Sequence, residues 1–335
     1  MLRENRPTIH DVAREAGVSY QTVSRVLNNS PAVAPATRQR ILHVMKKMGY
    51  QRNVAAQMLN TNRSYTIQVI NLEGKFPFET PLPEAASKAG YTAIYAECTD
   101  ATFAKTLNLA AARMVDGIFL YAPKLEIDDQ ALLDLCHGIP VVRRDYAPGS
   151  KITWVGYDQV RATELAVQHL LDLGHRQIAE VTGLLEAINP RLRHETCQKM
   201  LRRHGLELVA SVAGDYFSHE RAVKSGYEGM RELIESGQTF TAVIAGNDQM
   251  GIGALAALNE YGLRVPDDVS VVGFDNSYFS RFLIPPLTTV AFNFDLQSRL
   301  TFQFLFEHIE NPDIEPHQHV LLPELIVRHS TRRLA

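Results

Sequence analysis

Short apolar strands alternate with amphipathic helices along most of the chain, from Thr66 onward. This alternation predicts parallel sheets covered by helices on both faces, and a segment of this length predicts two such lobes. Helices are expected between most strands, such as Ala162 to Leu173, Glu195 to His204 and Gln249 to Tyr261. The predicted strands are Thr66 to Leu72, Tyr91 to Ala96, Gly117 to Tyr121, Pro140 to Arg143, Gln177 to Thr182, Ala242 to Ala245 and Val269 to Phe274.

Polar side chains follow several of these strands, where the carboxyl ends of parallel strands form the usual ligand-binding edge of a sheet. Carboxylates, an amide and guanidinium groups near aromatic rings suit a sugar, whose hydroxyls need polar partners and whose apolar face stacks on rings. Asp and Asn at such positions also cap helices, and we assign that role to Asp248. The polar candidates are Asp145, Asn247, Asp248 and Asp275, with Arg191 and Arg193 on the loop before a helix, and the aromatic ones are Tyr216, Phe217 and Phe294.

The charge of the chain is divided unevenly. Residues 1–64 carry ten basic and three acidic side chains, a net +7, whereas residues 65–335 carry 24 basic and 34 acidic side chains, a net −10. A basic head on an acidic body predicts that the head meets a polyanion.

The head has the pattern of a helix-turn-helix. Thr8 to Asp11 has the T-x-x-D form of a capping box, and the apolar residues that follow are spaced as one helix face up to Gly17. Ser19 can cap a second helix, whose apolar stripe is Val23, Val26 and Leu27. A third helix is expected from about Pro35 to Gly49, burying Ile41, Val44, Met45 and Met48. Such a second helix fits the major groove of DNA.

Two other chemistries have a weaker sequence signal. Gly251 to Ala256 matches the G-x-G-x-x-A of a dinucleotide site, with Asp275 about twenty residues later, which would make the protein a nucleotide-cofactor enzyme. However, the preceding strand ends near Ala245, so both glycines are expected inside a helix, and we predict neither an enzyme nor a cofactor. His317 and His319 alternate on a predicted strand, but a metal needs further ligands.

The composition of the chain excludes several classes of protein. No apolar run approaches the roughly 18 residues of a membrane span, so we expect no membrane protein. The N-terminus has no signal-peptide pattern, which predicts a cytoplasmic protein. Cys98, Cys136 and Cys197 are an odd number without C-x-x-C spacing and are expected to be free, buried thiols.

Several motifs resemble one family. Thr8 to Asn28, T-I-H-D-V-A-R-E-A-G-V-S-Y-Q-T-V-S-R-V-L-N, is similar to the head of the lactose/galactose repressor (LacI/GalR) family. The body motifs that resemble its effector domain are R-L-R at 191–193, G-N-D-Q-M-G at 246–251, V-G-F-D-N at 272–276 and P-P-L-T-T at 285–289. The resemblance covers nearly the whole chain. It implies an all-α helix-turn-helix head with a hinge helix, followed by an α/β periplasmic-binding-protein-like body of two Rossmann-like lobes.

The expected domains follow from this resemblance. They are a DNA-binding domain at 1–52, a hinge helix and linker at 53–64, and an effector-binding and dimerisation domain at 65–335. The N-lobe is expected at about 65–160 and 291–321, and the C-lobe at about 161–290 and 322–330. Residues 73–83 depart from the family pattern, because this proline-rich segment is about four residues shorter and predicts a shortened helix that normally lines the effector pocket.

The resemblance also implies which residues contact double-stranded operator DNA. Tyr20, Gln21 and Arg25 are implied as base readers, and Thr8, Ser19, Thr22, Ser24, Asn28, Thr37, Tyr50 and Asn53 as mainly phosphate contacts. The hinge segment 53–59 is too short to be helical in water, where about 12 to 15 residues are needed, so we expect it to order only on DNA. Leu59 is implied as a minor-groove wedge and Ala56 as the close contact of paired hinge helices.

The implied effector contacts are Asp145, Arg193, Tyr216, Asn247, Asp275 and Phe294. The expected protein is a homodimeric regulator, a repressor of carbohydrate-use genes, whose operator affinity is controlled by a small sugar such as a galactoside. A regulator that responds to a non-sugar metabolite, or to no effector, is the alternative.

Overall fold

A computed structural model describes residues 7–27, 30–50, 63–72, 82–124, 127–215 and 219–334. The chain divides into two compact units, Met1–Ser64 and Tyr65–Ala335, here called the head and the body. The predicted hinge residues 53–62 and the proline-rich residues 73–81 lie outside the described ranges.

The head is built from three helices, α1 (Ile9–Ala16), α2 (Tyr20–Leu27) and α3 (Pro35–Met48). The predicted capping box at the start of α1 is confirmed. The Thr8 N–H donates to Asp11 Oδ2 over 2.9 Å, and the Asp11 N–H donates to Thr8 Oγ1 over 3.3 Å. Two amides at the helix start are therefore satisfied by this reciprocal pair.

The turn between α1 and α2 also follows the prediction. Gly17 ends α1 with a positive φ of 62°, a conformation that costs glycine little. Ser19 Oγ then accepts the Thr22 N–H over 3.2 Å at the start of α2. The helices pack on a shared apolar core in which Val23 and Ile41 are fully buried.

The first sheet of the body contains β1 (Thr66–Leu72), β2 (Thr92–Cys98), β3 (Gly117–Tyr121), β4 (Val141–Arg143), β5 (Trp154–Tyr157) and β11 (Gln318–Leu321). The strand order is β11-β5-β4-β3-β1-β2, and all pairs are parallel. The accompanying helices are α4 (Leu82–Lys88), α5 (Asp100–Ala112), α6 (Asp129–Leu135) and α11 (Phe294–Glu310).

The second sheet contains β6 (Ile178–Thr182), β7 (Ser211–Ala213), β8 (Ala242–Ala245), β9 (Ser270–Asp275), β10 (Thr288–Ala291) and β12 (Glu324–Ile326). The strand order is β12-β10-β9-β8-β6-β7, and β12 pairs antiparallel with β10. The helices are α7 (Gln159–Asp172), α8 (Ile188–Arg203), α9 (His219–Glu235) and α10 (Asp248–Glu260), with a 3-10 helix at Tyr278–Phe282. The predicted two-lobed α/β body is confirmed.

The chain passes between the two sheets after β5, after β10 and after β11. One apolar cluster continues through these crossings, since it contains Tyr157 of the first sheet and Phe274 of the second. Loops at the sheet edges also meet, because the Ile188 N–H donates to Pro123 O over 3.2 Å. The carboxyl edges of the sheets therefore border a common crevice.

Helix α8 corrects a predicted boundary. It begins at Ile188 and not at Glu195, so Arg191 and Arg193 lie inside a helix and not on the loop before it. The Pro190 ring is tolerated because N–H groups in the first turn of a helix have no partner within the helix. The loop expected before Glu195 is therefore the first part of α8.

The glycines of the G-x-G-x-x-A match lie within α10, as predicted. A methyl group at Gly253 would collide with Val223 O and the Tyr227 N of α9. Gly226 of α9 is equally close to the backbone of Met250. These glycines therefore allow two helices to pack closely, and they do not form a phosphate-binding turn.

Two compositional expectations concern membrane spans and thiols. Across the described ranges, no helix has both the length and the apolar character of a membrane span. Cys98, Cys136 and Cys197 are free and buried, as predicted.

Candidate functional sites

The outward face of α2 carries the side chains expected to read bases. Tyr20 is 50% exposed, and Gln21 and Arg25 are exposed as well. Val23 and Val26 are buried on the opposite face, which fixes the rotation of the helix. Amide and guanidinium groups presented in this way can reach base edges in a major groove.

The other head residues expected to contact DNA are polar and accessible to different extents. Thr8 and Ser19 are exposed, and Thr22, Ser24, Thr37 and Tyr50 are half-buried. Thr8 and Ser19 also hold helix starts, so their hydroxyls have a structural role whether or not DNA is bound. Asn28, Asn53, Ala56 and Leu59 lie outside the part of the chain that the structure describes.

In the body, Asp145, Arg193 and Asp275 all lie within electrostatic range of Tyr121. Tyr121 ends β3 and Asp275 ends β9, so both stand at carboxyl edges. Desolvation raises the pKa of Tyr121 to about 12, while Asp145, Asp275 and Arg193 all act electrostatically on the phenol. The hydroxyl therefore keeps its proton at neutral pH. Tyr121 was not predicted, although its place at a strand end is the same signal that pointed to Asp275.

Asp145 forms a buried ion pair with Arg143. The distances from its carboxylate are 2.6 Å to Nη2 and 3.3 Å to Nε, and the side chains are 0% and 9% exposed, respectively. The pair fixes the carboxylate two residues beyond the strand β4, so Asp145 is held in place before any ligand arrives. Arg143 was not predicted as a site residue.

Arg193 contacts several of the elements that border the crevice. Its Nε donates to Gln159 Oε1 over 2.8 Å, and its Nη1 donates to Gly246 O over 2.7 Å. Its guanidinium carbon lies 4.3 Å from the centroid of the Phe274 ring and 5.3 Å from that of Phe292. These contacts hold the guanidinium in a buried, fixed orientation.

The helix cap predicted at Asp248 is formed by the neighbouring Asn247. Asn247 caps α10, since its Oδ1 accepts the Met250 N–H over 2.9 Å. Asp248 is fully buried and accepts from Thr289 Oγ1 over 2.6 Å and from the Ser277 N–H over 2.7 Å. Burial and the nearby Asp275 raise the pKa of Asp248 well above its ordinary value. The assignment of the cap to Asp248 was wrong because the strand β8 ends at Ala245 and leaves Asn247 at the helix start.

Aromatic rings line the same region. Phe294 lies 6.0 Å from Phe292 and 6.4 Å from Tyr157, measured between ring centroids. Tyr157 and Phe292 are 4.7 Å apart. The predicted Phe294 thus belongs to a group of rings beside the polar residues, whereas Tyr216 and Phe217 lie outside the described residues.

A cavity of about 380 Å³ opens between the lobes. Its first-lobe lining includes Arg143 and Tyr146, and its second-lobe lining includes Ile188 and Arg191. A volume of this size admits a small ligand. The lining of the cavity includes Arg143, the ion-pair partner of Asp145, but not Asp145, Arg193, Asp275 or Phe294.

The histidines near the C-terminus have structural partners. The ring of His317 stacks on Phe304 with centroids 4.4 Å apart, and the backbone N–H of His317 donates to Thr153 Oγ1 over 2.9 Å. Within the described ranges, no three His, Cys, Asp or Glu residues are grouped as a metal ion would require.

Comparisons with known proteins agree with this division into a helical head and a two-lobed body. The family model of bacterial regulatory proteins, lacI family, matches residues 8–53, and that of the periplasmic binding protein-like domain matches residues 167–331. The lactose operon repressor of Escherichia coli is 32% identical over 97% of this chain and 90% of its own length. The transcriptional repressor PurR of Mannheimia succiniciproducens is 31% identical over 98% of this chain and 99% of its own.

Solved structures give the same result over the full length. The lac repressor dimer bound to operator and the anti-inducer ONPF superposes with a TM-score of 0.86 at 30% identity, covering 98% of this chain and 100% of that one. A complex of the transcriptional regulator CelR with cellobiose has a TM-score of 0.69 at 30% identity, covering 97% and 100%.

A helix-turn-helix head joined to a periplasmic-binding-protein-like body defines a DNA-binding transcriptional regulator with an effector domain. The chain belongs to the lacI family of bacterial regulatory proteins, as its motifs predicted. It is a regulator and not an enzyme.

Proposed function

We propose that this protein is a homodimeric repressor of carbohydrate-use genes in the cytoplasm, and that a small sugar in the crevice of the body changes its affinity for operator DNA. The observation that carries the proposal is the grouping of Asp145, Arg193 and Asp275 around Tyr121, beside the ring of Phe294. Fixed carboxylates and a guanidinium supply bidentate partners for hydroxyls, and an adjacent ring can stack on the apolar face of a sugar.

The relatives support the sugar part of this proposal. One structure similar to this chain is that of CelR with cellobiose, and another is that of the lac repressor with ONPG. In the dimer, two heads would present their α2 helices to the half-sites of a pseudo-palindrome. Tyr20, Gln21 and Arg25 are proposed to read bases there.

Calorimetric titration of the full chain with a panel of mono- and disaccharides tests the effector proposal. A sugar that binds is then added to operator-binding assays on the wild type and on Asp275→Asn. We expect Asp275→Asn to bind operator normally and to lose the response to the sugar. The matched control is Asp313→Asn, an exposed aspartate elsewhere in the body, which should respond as the wild type does. A full sugar response in Asp275→Asn would remove Asp275 from the site.

A further inference from the structure

Arg144 is a buried arginine whose Nε and Nη2 have no hydrogen-bond partner among the described residues. It follows β4 directly, at the carboxyl edge of the first sheet, and only 2% of its surface is exposed. Its Nε and Nη2 atoms are enclosed and make no hydrogen bond in the described structure. An ionised group buried in this state is costly, and native structures normally supply a partner.

The surroundings of Arg144 belong to the crevice described above. Its guanidinium carbon lies 5.2 Å from the centroid of the Phe294 ring and 5.7 Å from that of Tyr121. These rings stabilise a cation through their faces, but they cannot accept its in-plane N–H groups. Burial lowers the pKa of Arg144, which indicates that its charged form is under-solvated.

Arg144 differs from Arg143 and Arg193 at the crevice, because both of those have hydrogen-bond partners. Arg143 is neutralised by Asp145. Arg193 hydrogen-bonds to neutral oxygens of Gln159 and Gly246. Asp145 and Asp275 act electrostatically on both Tyr121 and Arg144, but Nε and Nη2 of Arg144 have no hydrogen bond to either carboxylate among the described residues. Enclosed guanidinium N–H groups without an acceptor favour a ligand that carries a negative charge.

We infer that Arg144 binds an anionic group of the effector, so that the effector is a sugar acid or a sugar phosphate and not a neutral sugar. A guanidinium donates paired hydrogen bonds to the oxygens of a carboxylate or a phosphate. The inference rests on the proposed function, because it takes the crevice as the effector site, and it names the chemical class of that effector.

Matched neutral and anionic probes test the inference on the full chain. Galacturonate is compared with galactose, and glucose 6-phosphate with glucose, by calorimetry and by the shift in Tm. At least one anionic probe should bind about tenfold or more tightly than its neutral counterpart. A preference for galacturonate over galactose would indicate a carboxylate ligand, and a preference for glucose 6-phosphate over glucose would indicate a phosphate ligand. Binding of inorganic phosphate without binding of either anionic sugar would overturn the inference.

Two variants separate ligand binding from a structural role of Arg144. Arg144→Met should weaken binding of the preferred anion by about tenfold to a hundredfold. It should also raise the Tm of the ligand-free protein, because an unpaired buried charge is removed. Arg144→Lys should retain part of the anion affinity. Arg113→Met, at an exposed arginine of the same lobe, controls for net charge.

The outcomes distinguish the inference from the proposed function. If a neutral sugar binds as tightly as its anionic partner and Arg144→Met changes nothing, the inference fails while the sugar response stands. If no probe of either kind binds or changes operator affinity, both fail. A lower Tm for ligand-free Arg144→Met would show that Arg144 stabilises the fold and is not waiting for an anion.

Discussion

The ion pair between Arg143 and Asp145 gives a prediction whose size follows from burial. Replacing Asp145 by Leu leaves the Arg143 guanidinium, 9% exposed, without its carboxylate. Loss of one partner from a buried pair costs about 3–5 kcal/mol, whereas exposed pairs contribute at most about 1 kcal/mol. For a domain of this size class, about 2–4 °C of Tm accompanies each kcal/mol. We therefore expect the Tm of Asp145→Leu to fall by about 6–20 °C.

Urea unfolding followed by tryptophan fluorescence measures the expected loss of about 3–5 kcal/mol in the free energy of unfolding. Thermal unfolding followed by the same signal measures the fall in Tm. The single tryptophan, Trp154, is buried in β5 of the same sheet and reports directly on the first lobe. The double variant Arg143→Met/Asp145→Leu removes both charges and should regain most of the lost stability. The exposed pair of Lys88 and Glu84 is the control, and Glu84→Gln should produce no resolvable change. A double variant as unstable as Asp145→Leu would refute the reasoning, because the loss would then not come from an unpaired charge.

Three further predictions concern DNA reading, helix packing and pH. Gln21→Ala should relax the preference at one base pair of the operator by about 1–3 kcal/mol, measured on a set of single-base operator variants; an equal loss on every sequence would assign Gln21 to the DNA backbone. Gly253→Ala should destabilise the body by about 1–3 kcal/mol in urea, since the added methyl group meets the backbone of α9, and unchanged stability would contradict that close packing. The hydrogen bond to Glu180 raises the pKa of His194, so the pair stabilises the fold below the ordinary histidine pKa of 6.5 and this contribution is lost as pH rises through the raised value. His194→Gln should therefore have a smaller difference in Tm between pH 6 and pH 8 than the wild type. The same difference in the variant and the wild type would exclude the pair of His194 and Glu180 as a source of the pH dependence.

Several strands of the body were predictable because each is a short apolar run between a helix and a turn, whereas β5, β7, β10 and β12 were not predicted. The strands Thr66–Leu72, Gly117–Tyr121 and Ala242–Ala245 have the bounds that the sequence predicts. A short apolar run was a sufficient signal for these strands, because strands buried on both faces are mostly apolar. Helix starts were less predictable. The start of α8 was predicted at Glu195 instead of Ile188. At α10, the hydrogen bond from Thr289 to Asp248 separates two neighbouring cap candidates, and no local pattern contains that contact.

The site was predictable only where a residue stands alone after a strand. Asp275 has this position, and like Asp145 and Arg193 it lies within electrostatic range of Tyr121, while its effector role stays a prediction. Arg144 was not predicted because the sequence cannot tell which of the three consecutive charged residues at the end of β4, Arg143 to Asp145, are paired. The structure separates them, since Arg143 and Asp145 bind each other and leave Arg144 enclosed between rings.

Effector control of operator binding is the central claim, and thermodynamic linkage provides its most direct test. If a sugar changes operator affinity by some factor, operator must change the affinity for that sugar by the same factor, about 5- to 150-fold in typical cases. Calorimetric titration of the sugar into the free protein and into its operator complex measures that factor. The account predicts two sugar affinities whose ratio equals the change in operator Kd. The same sugar affinity with and without operator would contradict it.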